Sequence, residues 1–250
     1  MQRAIIRVSG TDAVKFLQGL VTNDLRKLPE AGILYAALLS PQGKYLADFF
    51  LVRADDGVLI DVAAPMADEL SKRLTLYKLR SAVTIERIDL EVSRGTGPAP
   101  DGALPDPRHP ALGWRLYGTA LPDDGTDWDA LRVAYCIPET GIELIPNETF
   151  ILEAGFGRLH GADFRKGCYV GQEVTARMQH KTELRKGFAT VELDGPVAFG
   201  AEILSGEVKA GRIFTRSGDR AIAYLRFDRA RAALHADGVG VIWKGASDAA

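Results

Sequence analysis

Cysteine is almost absent from this chain: 250 residues include two, Cys136 and Cys168. Two thiols cannot build a disulfide framework, so the expected compartment is the reducing cytoplasm. Long apolar runs are also missing. No stretch approaches the roughly 20 residues of a membrane span, so no membrane partner is expected. The opening MQRAIIRVSG lacks the apolar core of a secretory signal and the pattern of a transit peptide, and neither is expected. Nor is there an excess of positive charge. The formal net charge is −2, which excludes the strongly basic balance of a general nucleic-acid binder. No heptad pattern or internal repeat occurs, and a monomer is expected.

What is present is an ordinary globular composition, 46% hydrophobic and 26% charged. The strand-like AIIRV is followed by a helix over TDAVKFLQGL, with Thr11 as cap and Val14, Leu17 and Leu20 at helical spacing. Three β-like runs come next, ILYAALLS, KYLADFFLV and GVLIDVA. The turn cluster SPQGK between the first two predicts a hairpin. Pro65 opens a helix whose Met66, Leu70, Leu74 and Tyr77 share a face, and strand-like SAVTIERI and LEVSR follow it. Residues 95–127 are rich in Pro and Gly and suit a linker, although Trp114, Leu116 and Tyr117 imply that part of the segment is pinned to the body. Cys136, in the apolar helix WDALRVAYCI, reads as a small core residue. From Lys186 on, short strands at close spacing predict a small antiparallel barrel. The expected domains are therefore 1–185 and 186–250. The fold class is α+β and mainly antiparallel, because helices are few and no βαβ alternation with a glycine-rich phosphate loop occurs.

Chemistry concentrates in residues 158–187, RLHGADFRKGCYVGQEVTARMQHKTELRKG. Seven cations stand against three anions there, a net of +4 in a chain of net −2. Such a local field favours an anionic ligand or partner. Lys181 to Lys186 read as a solvated stretch, whereas Arg165, Lys166 and Arg177 flank the glycine-rich KGCYVGQE and have the better claim to function. Gly167 and Gly171 allow sharp turns or close approach. Cys168 follows two cations, which favours a thiolate and makes it a candidate nucleophile, redox thiol or metal ligand. The spacing C-x11-H to His180 is no recognised zinc arrangement, and no resident metal is expected. Gln172 and Glu173 suit the edge of a heterocycle, or else the start of a helix.

KGCYVGQE resembles the defining motif of the YgfZ family, folate-binding proteins of iron–sulfur cluster maturation. FLQGLVTNDL, LLSPQGKYLADF, YKLRSAVTI, DPRHPALGWR and IPNETFILEAGF agree with it. A weaker likeness, in the hairpin and in TFILEAGFGRLHGADF, extends to the aminomethyltransferase (T-protein) of the glycine cleavage system. The resemblance implies an aminomethyltransferase-like folate-binding body around a central cavity, followed by a small C-terminal β-barrel. The cofactor implied is tetrahydrofolate, whose glutamate carboxylates fit the positive field. Asn23, Asp61, Tyr169, Gln172, Glu173 and Arg177 are the expected folate-binding residues, and Cys168 and Lys166 the expected catalytic pair. The implied partners are iron–sulfur client or assembly proteins.

Two alternatives stand beside this assembly role. One is a folate-dependent one-carbon transferase using Asp68 or Glu69, which otherwise read as a solvated helix face. The other is a non-enzymatic module that recognises clients through the basic 165–186 surface.

Overall fold

The computed structural model describes residues 2–180, 184–230 and 233–245. Within these the chain gathers into two compact units. The first is Met1–Thr126, Pro146–Glu148 and Leu159–Val174; the second is Asp127–Ile145, Thr149–Arg158 and Thr175–Ala250.

The first unit is built on β1 (Arg3–Ser9), β2 (Ile33–Leu39), β3 (Tyr45–Ala54), β4 (Gly57–Ala63) and β5 (Thr84–Ile88), antiparallel in the order β2-β3-β4-β1-β5. The expected hairpin is β2–β3, with Ile33 opposite Val52 and Leu39 opposite Tyr45. Strand side chains alternate between faces, and this sheet uses both. Ile6, Val8, Leu34, Leu38, Phe49, Leu51, Ile60 and Val62 form the apolar core. Fully burying each such side chain contributes roughly 1.5–3 kcal/mol. Helices α1 (Ala13–Gln18) and α3 (Ala67–Lys78) cover that core with Phe16, Leu17, Leu70 and Leu74; the short α2 (Leu28–Ala31) adds Leu28. Thr11 is not the cap of α1. Asp12 holds that position, and its carboxylate instead accepts from the Ala82 N–H at 2.8 Å. Val14 faces solvent, because Phe16 and Ala13 take the inner positions beside Leu17.

The other face of the sheet carries charge. Asp61 on β4 accepts from Arg3 Nε at 2.6 Å, Arg115 Nη1 at 2.9 Å and Tyr117 Oη at 2.9 Å. Arg115 and Tyr117 belong to β8 (Trp114–Tyr117), the middle of a three-stranded sheet with β6 (Val92–Gly95) and β7 (Leu104–Pro105). Arg115 also pairs with Asp106 at 3.1 Å and lies 3.7 Å from the Phe50 ring centre. The Pro/Gly-rich segment is therefore no linker where it carries these strands. Buried ion pairs that must all be satisfied at once lock it onto β1 and β4.

The second unit holds a closed barrel, in the order β10-β11-β12-β9-β14-β13. Its strands are β9 (Lys186–Leu193), β10 (Glu202–Ser205), β11 (Val208–Ser217), β12 (Arg220–Arg226), β13 (Leu234–Ala236) and β14 (Val239–Ile242). Closure leaves no unpaired edge along the ring. Helix α4 (Trp128–Ala134) packs on it. Buried Arg132 reaches Glu143, and Glu143 accepts from Thr215 Oγ1 of β11 at 2.5 Å. Cys136 is buried with Val133 and Ile222, as its apolar surroundings in sequence suggested.

Candidate functional site

The octapeptide 166–173 is seated by two short stretches of the first unit. Thr22, Asn23 and Asp24 are buried polar residues in succession, each satisfied locally. Thr22 Oγ1 donates to Gly161 O at 2.6 Å and accepts from the Ala37 N–H. Asn23 Nδ2 donates to Tyr35 O and His160 O, both at 2.7 Å, while its Oδ1 accepts from the Asp24 N–H. Asp24 binds Arg26 and Gln18; the Arg26 guanidinium, assisted by the Gln18 amide, outweighs the effect of burial and holds its carboxyl well below the usual range. Asp163 accepts from the Arg165 N–H at 2.7 Å and pairs with Lys27 at 2.6 Å. These bonds bind residues 160–165 to residues 22–27.

Lys166 completes the attachment. Its Nζ donates to the carbonyl oxygens of Gln18, Val21 and Asn23 at 2.8, 2.5 and 2.9 Å. Three donors of an ammonium thus meet three carbonyl acceptors, one on the last residue of α1 and two on the stretch that follows it. The side chain is 3% exposed. Burial pushes its pKa down to about 8, against the upward pull of Asp24 and Asp163. Lys166 accordingly anchors the loop, with its charge directed into the body. Tyr169, also buried, has its ring 5.1 Å from that nitrogen.

Between these two inward residues the loop turns out. Gly167 takes φ 80° with open space where a Cβ would stand, and Cys168 beside it is exposed. Gly171, at φ 81°, presses on the β2–β3 turn. A Cβ there would lie 2.5 Å from Ser40 O and 3.1 Å from Gly43 Cα. Two glycines in contact let the motif lie directly on the hairpin. Helix α5 (Gln172–His180) starts at once, and Gln172 Oε1 accepts from the Tyr169 N–H at 3.2 Å. Glu173 and Arg177 are exposed one helical turn apart, a spacing that puts them on one face.

The expected site residues therefore divide. Cys168, Glu173 and Arg177 present their side chains outward, and Gln172 sits half-buried at the helix start. Asn23 and Asp61 lie inward, their polar atoms engaged by backbone groups and by Arg3, Arg115 and Tyr117 respectively. The positive field is thinner than the count of cations implies. Arg158 donates to Tyr135 O and Cys136 O, Lys186 pairs with Glu153, and Lys166 is internal. Lys181 and Glu183 lie outside the described residues. Asp68 and Glu69, the carboxylates named for the transferase alternative, are 81% and 56% exposed on α3. Among the described residues no three His, Cys, Asp or Glu side chains gather as a metal site.

Buried carboxylates at Asp24, Asp48, Asp106, Glu143 and Glu153 escaped the sequence reading. Glu153, in ILEAGF, accepts from Tyr224 Oη at 2.6 Å on the second unit. A single acid amid apolar neighbours was the available signal.

Comparison with known proteins places this architecture. The pattern of the GCVT N-terminal domain matches residues 3–94, and that of the CAF17 C-terminal beta-barrel domain matches residues 185–245. The mitochondrial iron–sulfur cluster assembly factor IBA57 of Mus musculus is 32% identical, with 93% of this chain and 78% of the relative covered. The chain belongs to the IBA57 family. The human IBA57 is 30% identical over the same shares. The IBA57 homolog of Mycosarcoma maydis is 32% identical over 74% of this chain, and the match spans about half (54%) of that longer relative. The crystal structure of the glycine cleavage system aminomethyltransferase T from Bartonella henselae superposes with a TM-score of 0.75 at 15% identity, covering 96% of this chain and 81% of that one. The aminomethyltransferase-like fold with a C-terminal barrel is thereby established. The cytoplasmic expectation is overturned, because these IBA57 relatives are mitochondrial proteins. A low cysteine count reports a reducing compartment and does not say which one.

Proposed function

We propose that the protein is an iron–sulfur cluster assembly factor that binds tetrahydrofolate, with Cys168 as the group that meets the cluster or its carrier. The observation behind this reading is an exposed thiol on a loop locked at its base by Lys166, in a member of a family whose relatives are iron–sulfur cluster assembly factors. A thiolate is a natural iron ligand. One cysteine supplies a quarter of the usual four-cysteine shell, so the other ligands belong to a client or carrier protein that hands over the cluster. The cluster is cargo and not a resident group.

The resemblance of KGCYVGQE to the YgfZ motif supports folate as the small-molecule ligand. The groups that fit it are on α5: Arg177 for a glutamate carboxylate, Glu173 and Gln172 for polar edges of the ring system. Asn23 and Asp61 shape the body and take no part in binding.

Two measurements test the proposal separately. In cells lacking their own copy, the wild-type chain is expected to restore a [4Fe–4S] enzyme and Cys168→Ser is not; full restoration by the serine variant removes the thiol from the account. Anaerobic calorimetry with tetrahydrofolate is expected to show 1:1 binding at about micromolar strength, ~8 kcal/mol, weakened roughly tenfold in Arg177→Ala by loss of a charge-assisted bond. Absence of heat at any accessible concentration removes folate and leaves the thiol reading standing.

A further inference from the structure

The end of α3 presents aliphatic side chains that no described residue covers. Leu76 is 76% and Leu79 88% exposed, whereas Leu70 and Leu74 of the same helix are buried. Leu79 also closes the helix with φ 44° and ψ −108°. Glycine does this at least cost, because a Cβ strains a positive φ. The chain thus bears strain to hold a large apolar side chain that stays mostly in solvent. An outlier of this kind points to use and not to folding.

The surroundings indicate the user. Lys72 lies one helical turn before Leu76, and exposed Arg80 follows just past the end of the helix. Lys78 ends the helix. Asp12 shares a cleft with Leu79, Arg80 and Ser81, and just beyond it α1 adds exposed Val14 and Lys15. Lys15, Lys72, Lys78 and Arg80 enter no ion pair among the described residues. Asp12, the carboxylate lining the cleft, is engaged by the Ala82 N–H.

A second copy of the chain is a poor occupant, since a two-fold contact would set these cations against their own kind. A docked helix or peptide needs a concave apolar seat, whereas the cleft beside Leu79 is lined otherwise by Asp12, Arg80 and Ser81. Protruding aliphatics ringed by unpaired Lys and Arg instead match an anionic bilayer. The leucines enter the boundary between headgroups and acyl chains, and the cations meet lipid phosphates. We propose that the C-terminal end of α3, with the start of α1, docks on an anionic lipid surface. Association is peripheral, as no helix among the described residues is long and apolar enough to cross a membrane. The lack of a spanning segment, which led to the expectation of no membrane partner, does not bear on such contact.

Sedimentation of the full chain with phosphatidylcholine vesicles, with and without phosphatidylglycerol, tests this. Wild type is expected to pellet with the anionic vesicles alone, less so as salt rises. Lys72→Gln and Arg80→Gln should each weaken partitioning about fivefold, the equivalent of ~1 kcal/mol per cation at the surface. Leu79→Gly should keep or raise the thermal midpoint, because it relieves the strained φ, yet lower partitioning roughly tenfold. Val208→Ser, at an exposed barrel position, should change neither. Wild type that stays in the supernatant overturns the proposal, as does pelleting that ignores Leu79→Gly. Retention on immobilised polyglutamate without vesicle binding would reassign the patch to an acidic protein.

Discussion

Lys166 and Cys168 are two positions apart and end in opposite environments, one ammonium sunk among carbonyls and one thiol in solvent. Replacing Lys166 by methionine leaves the carbonyls of Gln18, Val21 and Asn23 without their donor. A loss of about 1–3 kcal/mol is expected in urea unfolding, with faster amide exchange over 164–171. The pH dependence has a definite sign. The folded pKa of about 8 is below the ordinary 10.5, so between these values the unfolded chain binds more protons and stability rises with pH. That rise should be present in wild type and missing from Lys166→Met; equal slopes would show that the ammonium is not the buried group. The two thiols differ as sharply. Burial pushes the Cys136 thiol up to about 11, Arg158 offsetting part of the effect, so about one in a thousand is ionised at pH 8. Iodoacetamide at that pH should modify Cys168 in the folded protein and reach Cys136 only on unfolding, as read by mass spectrometry.

At the scale of elements, the motif loop and the β2–β3 hairpin are packed backbone to backbone, and glycine makes this feasible. Gly171→Ala adds a methyl at 2.5 Å from Ser40 O on top of a positive φ, whereas Gly167→Ala incurs the φ alone. About 1 kcal/mol is expected for Gly167→Ala and clearly more, about 3 kcal/mol, for Gly171→Ala. Denaturation midpoints check the order, and its reversal would mean that the loop does not rest on the hairpin. The hairpin itself was legible in sequence because SPQGK separates two β-rich runs. Its contact with residues 166–173 was not, since turn chemistry is local and the two segments are more than a hundred residues apart. The three-stranded sheet was masked for a related reason. Proline and glycine dominate the segment that joins its strands, while the residues that fix it, Asp106 and Arg115, acquire their role only from Asp61 on another strand.

At the scale of the whole molecule, those buried pairs make stability acid-sensitive. Burial alone would raise the Asp106 carboxyl, but Arg108 and then Arg115 more than offset it and hold it well below the usual range. Its contribution is therefore complete above about pH 4, the ordinary carboxyl value, and is lost as pH falls toward the depressed one. Asp106→Asn leaves Arg115 and Arg108 short of a counter-charge, with about 3–5 kcal/mol lost at pH 7. The variant's stability should then fall less steeply than wild type below pH 4. Parallel acid limbs in thermal unfolding at several pH values would reassign the acid transition to other carboxylates.

The sequence by itself determined what depends on near neighbours: the paired strands of the hairpin, the buried face of α3, the small barrel, and the core position of Cys136. Periodicity and turn residues encode these directly, because side-chain direction repeats with the backbone. It also marked 166–173 as a place of chemistry, through its rare residue types. Only the tertiary structure decided which of those residues face outward. The polar groups of Lys166, Asn23 and Asp61 read the same in a string of letters whether they meet a ligand or distant groups of the chain itself. Their partners come from residues brought close only by folding, and a buried polar group must find such partners.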